Sequence, residues 1–209
     1  EPLRLGRAHV AARSSRGVVL EMDGIAMVTA EAPDEALRLL EAVPEANTWN
    51  VMGGALTQAV AEALDLEEGS RCYQAAYFRG DPLPVRADVR PLDMSFFQAV
   101  LDGYSLFHDP EYVEDRLKAG VIFGAFVDGC LAGFVGEHHE GSMGMLEVFP
   151  PYRGHGLGLA LESFQINRYL SQGRVPFDQV IVGNEKSMGL QRKVGMELSK
   201  DTMSWLHRK

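Results

Sequence analysis

A glycine-rich stretch at residues 150–160 holds the residues whose types and spacing best suggest chemistry. It reads Pro-Pro-Tyr-Arg-Gly-His-Gly-Leu-Gly-Leu-Ala and follows an apolar run. Glycine leaves room for backbone N–H groups to surround an anion, and a helix that starts here adds unpaired N–H groups and a positive dipole end. Arg153 supplies a fixed positive charge. The stretch therefore predicts a phosphate-binding turn between a strand and a helix.

Two common phosphate-binding motifs do not fit this turn. A P-loop ends in Gly-Lys-Ser/Thr, whereas Gly158 is followed by Leu159 and Ala160. A dinucleotide-binding fingerprint would need its third glycine at position 159, which is leucine. The phosphate must therefore belong to a different class of ligand.

The spacing Arg-x-x-Gly-x-Gly at residues 153–158, preceded by Leu-x-Val-x-Pro at residues 146–150, resembles the pyrophosphate loop of the GNAT superfamily of acyl-CoA-dependent N-acyltransferases. The resemblance implies acetyl-CoA as co-substrate, with the backbone around Val148 donating to the thioester carbonyl. His155 lies where the family tolerates varied residues, and we expect it to face solvent. In this part of the chain the resemblance assigns to the cofactor Leu146, Val148, Arg153, Gly154, His155, Gly156, Leu157 and Gly158.

A second stretch, residues 184–196, extends the resemblance. It is similar to the superfamily's Asn-x-x-Ser/Ala-x-x-Leu-Tyr-x-Lys-x-Gly-Phe motif, with Asn184 and Ser187 at matching positions. Asn184 would contact the pantetheine arm or bound water, and it is also a favourable helix cap; the two roles are compatible. Gln191 stands where the family usually has a tyrosine proposed to protonate the leaving thiolate. We place Gln191 in the cofactor site without that role.

An attacking amine needs a base, or a water chain that ends at one. By resemblance, superfamily members often place an acid or histidine on the strand of Val148, at positions that match Gly144 or Ser142. Neither residue is a base here. The nearest titratable groups lie across a predicted hairpin, so we expect His138 or Glu137 to accept the proton, directly or through Ser142 and water.

Glu147 is the remaining candidate base. Regular strand alternation puts Gly144 and Ser142 on the face of Val148 and Glu147 on the other face, and only a β-bulge would reverse this arrangement. The histidines at 138 and 139 can also be read as a solvated hairpin tip. Because adjacent strand residues point to opposite faces, they cannot both ligate one ion, and we expect no metal site.

Composition narrows the functional classes. The 209 residues are 46% hydrophobic and carry a formal net charge of −9, which argues against nucleic acid as a partner. There is no apolar run near eighteen residues and no charged-then-apolar leader, so we expect no membrane partner and a cytoplasmic location. Cys72 and Cys130 are read as small core residues. A monomer or a homodimer is expected.

The order of elements predicts a mixed α/β (α+β) fold, in which a mostly antiparallel sheet has helices on both faces. Asp-Gly pairs predict hairpins at 18–29 and 121–137, and Asn47–Asn50 are predicted as a turn. Predicted helices cover 33–43, 55–66, 92–101, 110–119, 156–171 and 187–194; other strands cover 71–78, 85–90, 143–149, 177–182 and a last run through Trp205.

A Gly-Asp-Pro-Leu-Pro cluster at residues 80–84 predicts a boundary between an N-terminal α+β lobe, 1–84, and a GNAT domain, 85–209. The two Asp-Gly hairpins suggest that the first lobe is a degenerate copy of the same fold. An unrelated small lobe remains an open alternative. The arrangement resembles the two-lobed, glycine N-acyltransferase-like branch of the superfamily.

The sequence as a whole predicts an N-acetyltransferase that moves an acetyl group from acetyl-CoA to a primary amine of a small molecule by direct attack. Two alternatives stay open. One is a non-catalytic acyl-CoA-binding sensor, because Gln191 replaces the tyrosine. The other is a protein-interaction module with a vestigial acyltransferase fold, in which residues 1–84 bind a partner.

Overall fold

The computed structural model describes residues 1–106 and 108–209 and divides into two compact units. The first unit comprises Glu1–Gln74, Gln179–Asn184 and Leu198–Lys209. The second comprises Ala75–Asp178 and Glu185–Glu197. The units are therefore not separated by a single cut at residue 84, because two segments from the end of the chain belong to the first unit.

Eleven strands and six helices make up the described residues. In chain order they are β1 (His9–Arg13), β2 (Gly17–Met22), β3 (Ile25–Ala30), α1 (Pro33–Leu40), β4 (Thr48–Met52), α2 (Gly54–Leu64), β5 (Leu66–Ala76), β6 (Asp88–Pro91), α3 (Phe97–Gly103), α4 (Pro110–Lys118), β7 (Phe123–Val127), β8 (Cys130–Glu137), β9 (Met143–Val148), α5 (Leu157–Ser171), β10 (Phe177–Ile181), α6 (Glu185–Val194) and β11 (Glu197–Arg208). Short 3₁₀ turns lie at Met94–Phe96 and Pro150–Tyr152.

In the first unit the strand order is β1-β2-β3-β4-β11-β5. The turn between β2 and β3 is the predicted Asp-Gly pair, with Asp23 at φ 48° and Gly24 at φ 81°, which confirms that hairpin. Helix α1 then crosses over so that β4 runs parallel to β3. Strand β11 pairs antiparallel with β4, from Met203 opposite Met52 to His207 opposite Thr48.

The predicted turn at Asn47–Asn50 is wrong, because residues 48–52 form strand β4. Trp49, Asn50 and Val51 are all buried there. The asparagines suggested a turn, but the Asn50 side chain lies within the unit and contacts the Met203 sulfur at 4.0 Å. Packing against neighbouring strands thus overrides the local preference of asparagine for turns.

In the second unit the strand order is β9-β8-β7-β6, and the first two residues of β10, 177–178, lie beside β9. Strands β6 to β9 are antiparallel, and α5 crosses over so that β10 runs parallel to β9. Helices α3 and α4 pack on one face, in a cluster with Ile122 and Phe134. Helix α5 packs on the other face, against Ala132 and Val135. The mostly antiparallel sheet covered by helices confirms the predicted fold class.

No helix among the described residues is long and apolar enough to cross a membrane.

Candidate functional site

The predicted phosphate turn lies between β9 and α5 in the second unit. The backbone of Gly154 has φ 83° and that of Gly156 has φ 79°, a left-handed conformation that residues with a side chain rarely adopt. The turn then enters α5 at Leu157, which is buried under the helix. The backbone conformation therefore strongly favours glycine at both positions.

The amide groups of this turn are not used by the fold. The Arg153 N–H donates to the Pro150 carbonyl, and the Ala160 N–H donates to the Gly156 carbonyl. Between them, the N–H groups of residues 154–159 have no acceptor within residues 1–106 and 108–209. A Cβ built on Gly154 or Gly156 would meet no atom within 4 Å, so open space adjoins both glycines. Unpaired amides beside such a space are suited to a polyanion.

Two polar side chains flank the turn. Arg153 is exposed; its Nε donates to the Val148 carbonyl at 2.8 Å, and its Nη2 lies 4.0 Å from a Glu147 carboxylate oxygen. His155 is also exposed, with Nδ1 3.4 Å from the Tyr152 carbonyl. Arg153 is thus placed at the end of β9, whereas the unpaired donors of the turn itself are backbone amides.

Strand β9 contains a bulge at Met145, whose φ of 51° is positive. Glu147 pairs with Phe134 and Gly144 pairs with Gly136, so three steps along β9 match two steps along β8. The bulge was the condition under which the predicted alternation would fail.

The faces of β9 change accordingly. Leu146 and Val148 pack with the cluster under α5, whereas Met145 packs with the cluster under α3 and α4. Gly144 also faces the α4 side, because a Cβ built there would lie 2.5 Å from Cδ2 of His138 and closer still to Nε2. The expectation that Gly144 shares the face of Val148 is therefore wrong, since the bulge inserts an extra residue between them.

Two of the candidate catalytic residues are held in internal hydrogen bonds. Glu137 is fully buried, and its carboxylate accepts from Arg174 at 2.8 and 3.1 Å and from Arg168 at 3.2 Å. Ser142 is also fully buried and donates to Glu140 at 2.5 Å. These contacts favour a structural role for both residues.

The other two candidates face α3 and α4. Glu147 accepts hydrogen bonds from the backbone N–H of Ser105 at 3.2 Å and from the Ser105 hydroxyl. His138 is half-buried, and its Nδ1 is hydrogen-bonded to the Tyr112 hydroxyl. Burial raises the pKa of Tyr112, so its phenol is neutral. The structure thus brings His138 and Glu147 to one side of β9.

The second motif lies on and before α6. Asn184 directly precedes α6, at the position of a helix cap, and belongs to the segment 179–184 of the first unit. Ser187 and Gln191 lie on α6 in the second unit. The Gln191 side chain is fully buried rather than presented at a surface.

Gln191 joins two acids that sequence reasoning missed. Its Nε2 donates to Glu162 of α5 at 3.1 Å and to Asp178 of β10 at 2.6 Å, while its buried Oε1 has no partner within the described chain. Burial, and then the charge of Asp178, raise the pKa of Glu162 to about 8. The available signal was a glutamate in the apolar run of α5, between Leu161 and Ser163.

The similarity of this chain to known proteins is one of three-dimensional structure. No protein-family model and no curated protein matches the chain. Among solved structures, a Drosophila protein matches at 17% identity and TM-score 0.69, over 92% of this chain and 74% of that one. A GCN5-related N-acetyltransferase from Kribbella flavida matches at 14% identity and TM-score 0.63, over 98% and 90%.

A tandem GNAT protein from the clavulanic acid biosynthesis pathway matches at 17% identity and TM-score 0.54, over 93% of this chain and 80% of that one. At these identities the similarity is one of fold. The chain therefore has the fold of the GNAT acetyltransferases.

Proposed function

We propose that the protein is an N-acyltransferase that transfers an acetyl group from acetyl-CoA to a primary amine of a small molecule. The observation that carries the proposal is the row of unpaired amides at residues 154–159, beside the open space at Gly154 and Gly156. A pyrophosphate offers several anionic oxygens to such a row, and the start of α5 adds its dipole. The GNAT fold of the chain supports the same ligand.

The remaining cofactor contacts follow from the position of the turn. With the pyrophosphate on residues 154–158, the pantetheine arm would extend along β9, past Val148 and Leu146. The backbone of β9 would donate to the thioester carbonyl, and this polarisation is a large contribution in acyl transfer. Ser187 is a proposed contact of the arm, as the resemblance of its motif implies.

The reaction consists of one attack and one departure. The amine nitrogen attacks the thioester carbon, the C–S bond breaks, and the amine proton is removed. Gln191 cannot protonate the departing thiolate, because an amide side chain does not titrate and its Nε2 already donates to two carboxyl groups. Thiolate is a good leaving group, so water can supply this proton.

Calorimetry with CoA tests the cradle. Gly156→Val places a β-branched residue at φ 79°, where the backbone strain would reshape the turn, and we expect CoA binding to be lost. His155→Ala, in the same turn, should keep wild-type affinity because the side chain is exposed. Equal affinity of Gly156→Val and wild type, with both folded by thermal melting, would remove the basis of the assignment.

Turnover separates an enzyme from a non-catalytic sensor. Wild-type protein incubated with acetyl-CoA and a panel of primary amines, covering amino acids, arylalkylamines, diamines and amino sugars, should release free thiol with at least one acceptor. CoA binding without thiol release across the panel would favour the sensor.

We also infer that residues 1–84 are a degenerate copy of residues 85–209. Each of these stretches contains three antiparallel strands followed by a crossover helix and a parallel strand: β1-β2-β3-α1-β4 and β7-β8-β9-α5-β10. A helix and a long strand then follow in each case. The segment before α1 lacks the glycines of the phosphate turn. The tandem GNAT protein among the structural matches supports this arrangement. We propose that the chain is related to the two-lobed, glycine N-acyltransferase-like branch of the superfamily.

A further inference from the structure

The imidazole of His138 occupies the space beside Gly144 of the bulged strand. A Cβ at residue 144 would lie 2.5 Å from the ring carbon Cδ2, a distance that real Cβ contacts do not reach. Glycine at 144 is therefore what allows the ring of His138 to rest against β9. The ring stands in the place that a side chain from residue 144 would otherwise fill.

The two nitrogens of this ring have different surroundings. Nδ1 is hydrogen-bonded to the hydroxyl of Tyr112, and the rings of the two residues lie 5.9 Å apart at an angle of 37°. Nε2 has no hydrogen-bond partner in the part of the chain that the structure describes. When Nδ1–H donates to the tyrosine oxygen, Nε2 carries a free lone pair. Tyr112 thus holds the ring through Nδ1, and a role for the ring as a base requires this tautomer, in which Nε2 can accept a proton.

The charged groups that face His138 come from α4 and from its own hairpin. Burial lowers the pKa of His138, and Arg116 of α4 and His139 act in the same direction. Glu140 and Glu137 act against it, and burial raises the pKa of the neighbouring Tyr112 as well. Because the net direction is downward, His138 is neutral at pH 7 and can accept a proton.

We propose that His138, through Nε2, is the general base that takes the proton of the acceptor amine, that Tyr112 is its positioning residue, and that Gly144 provides the space. The inference rests on the proposed acetyl transfer. As the amine nitrogen bonds to the thioester carbon, its proton moves to Nε2 directly or through one water, and the electrons of the broken C–S bond leave on the thiolate. The imidazolium then returns the proton to water or to the thiolate.

The other candidate catalytic residues near β9 are less suited to this role. Glu137 is enclosed by Arg168 and Arg174, and Ser142 is bonded to Glu140. Glu147 reaches the same side of β9, but one of its oxygens accepts both hydrogen bonds from Ser105 and the other faces Arg153 at 4.0 Å. Glu147 is therefore the rival that the experiment must exclude.

The first test compares His138→Gln with Glu147→Gln on the acceptor that the wild-type protein acetylates best. We expect His138→Gln to lower kcat by about 100-fold or more, the scale of a positioned general base, and to leave the Kd for CoA unchanged. The wild-type rate should fall on acidification, with a midpoint below about 6.5 that does not depend on the pKa of the acceptor, and His138→Gln should lose this limb. His139→Gln, an exposed neighbour, is the matched control and should keep the wild-type rate.

The second test moves the ring without removing it. Gly144→Ala adds the Cβ that collides with the imidazole, so the ring must turn away; kcat should fall while CoA affinity and the thermal midpoint stay close to wild type. Tyr112→Phe should lower kcat and shift the midpoint of the acidic limb, because it removes the partner of Nδ1. A purely structural role for Tyr112 would leave that midpoint unchanged.

The results of these tests distinguish failure of the proposed acetyl transfer from failure of the role assigned to His138. If the wild type binds no CoA, or acetylates no amine of the panel, the proposed function fails and the inference with it. If the wild type is active and His138→Gln keeps both its rate and its acidic limb, only the inference is overturned. Loss of the limb in Glu147→Gln alone would assign the base to Glu147.

Discussion

At the residue scale, the amide of Gln191 donates to two carboxyl groups in the interior, those of Glu162 and Asp178. Glu162 has a pKa of about 8 in the folded chain, against an ordinary value of 4.5. At a pH between these two pKa values, Glu162 keeps a proton in the folded chain and releases it in the unfolded chain. The free energy of unfolding should therefore fall as pH rises through this window, by up to about 1.4 kcal/mol per pH unit.

Urea unfolding of the wild type and of Glu162→Gln at pH 5, 6, 7 and 8 checks this prediction. The glutamine variant has no proton to lose, so its stability should change less with pH. Glu185→Gln, an exposed position on α6, is the control and should follow the wild type. Parallel curves for wild type and Glu162→Gln would contradict the prediction.

Individual residues differ in how well their conformation and contacts could be predicted from the sequence. The turn at 154–158 was predictable, because the left-handed backbone conformation is a local property and the spacing of the glycines in the sequence indicates where it occurs. The contact between His138 and Gly144 was not, since it depends on a bulge at Met145 that a methionine in an apolar run does not announce. The acid pair of Glu162 and Asp178 arises from elements far apart in sequence.

At the element scale, a buried ion pair joins the end of β8 to α5 and the segment after it. Glu137 accepts from Arg168 and Arg174, and the Arg174 guanidinium lies 3.8 Å from the centre of the Tyr169 ring. Tyr169 in turn donates to the Gly141 carbonyl at 3.0 Å. The hairpin that presents His138 is thus anchored from the α5 side.

Removing the central carboxylate should destabilise the protein rather than block its chemistry. Glu137→Gln leaves two arginines facing an uncharged amide, and we expect a loss of about 3–5 kcal/mol in the free energy of unfolding. Glu114→Gln breaks an exposed pair with Lys118 and should cost less than about 1 kcal/mol. A stable Glu137→Gln protein that has lost turnover would instead restore Glu137 as a candidate base.

The elements themselves were predicted well where their signals were local. Strand β8 spans the predicted 130–137, and α5 begins one residue after the predicted start. Strand β4 was missed, because its burial depends on β3 and β11, which lie on either side of it. Local patterns thus recover helices and hairpins, while a strand fixed by distant partners is hidden from them.

At the scale of the whole molecule, the order of elements repeats but the Asp-Gly hairpins are not equivalent. The crossover helix α1 follows the second strand of the first hairpin, β3, whereas α5 follows β9, one strand after the second hairpin. The matching hairpin of the second unit is therefore β8–β9, whose turn is the Glu140-Gly141 region. The two Asp-Gly hairpins are therefore not the corresponding hairpins of the two halves, although the order of elements in the two halves agrees.

The segments that belong to the first unit determine the expected effect of removing residues 1–80. Strand β11 belongs to that unit and pairs with β4 over five residue positions, from Met203 opposite Met52 to His207 opposite Thr48. A fragment of residues 81–209 lacks β4, so β11 would expose an unpaired edge with buried apolar residues such as Met203 and Leu206. We expect this fragment to be insoluble alone.

Co-expression with residues 1–80 should yield a soluble pair that co-purifies and binds CoA by calorimetry, because the missing partner of β11 is then supplied. A soluble, folded 81–209 fragment that binds CoA without residues 1–80 would show that the second unit forms independently of β4.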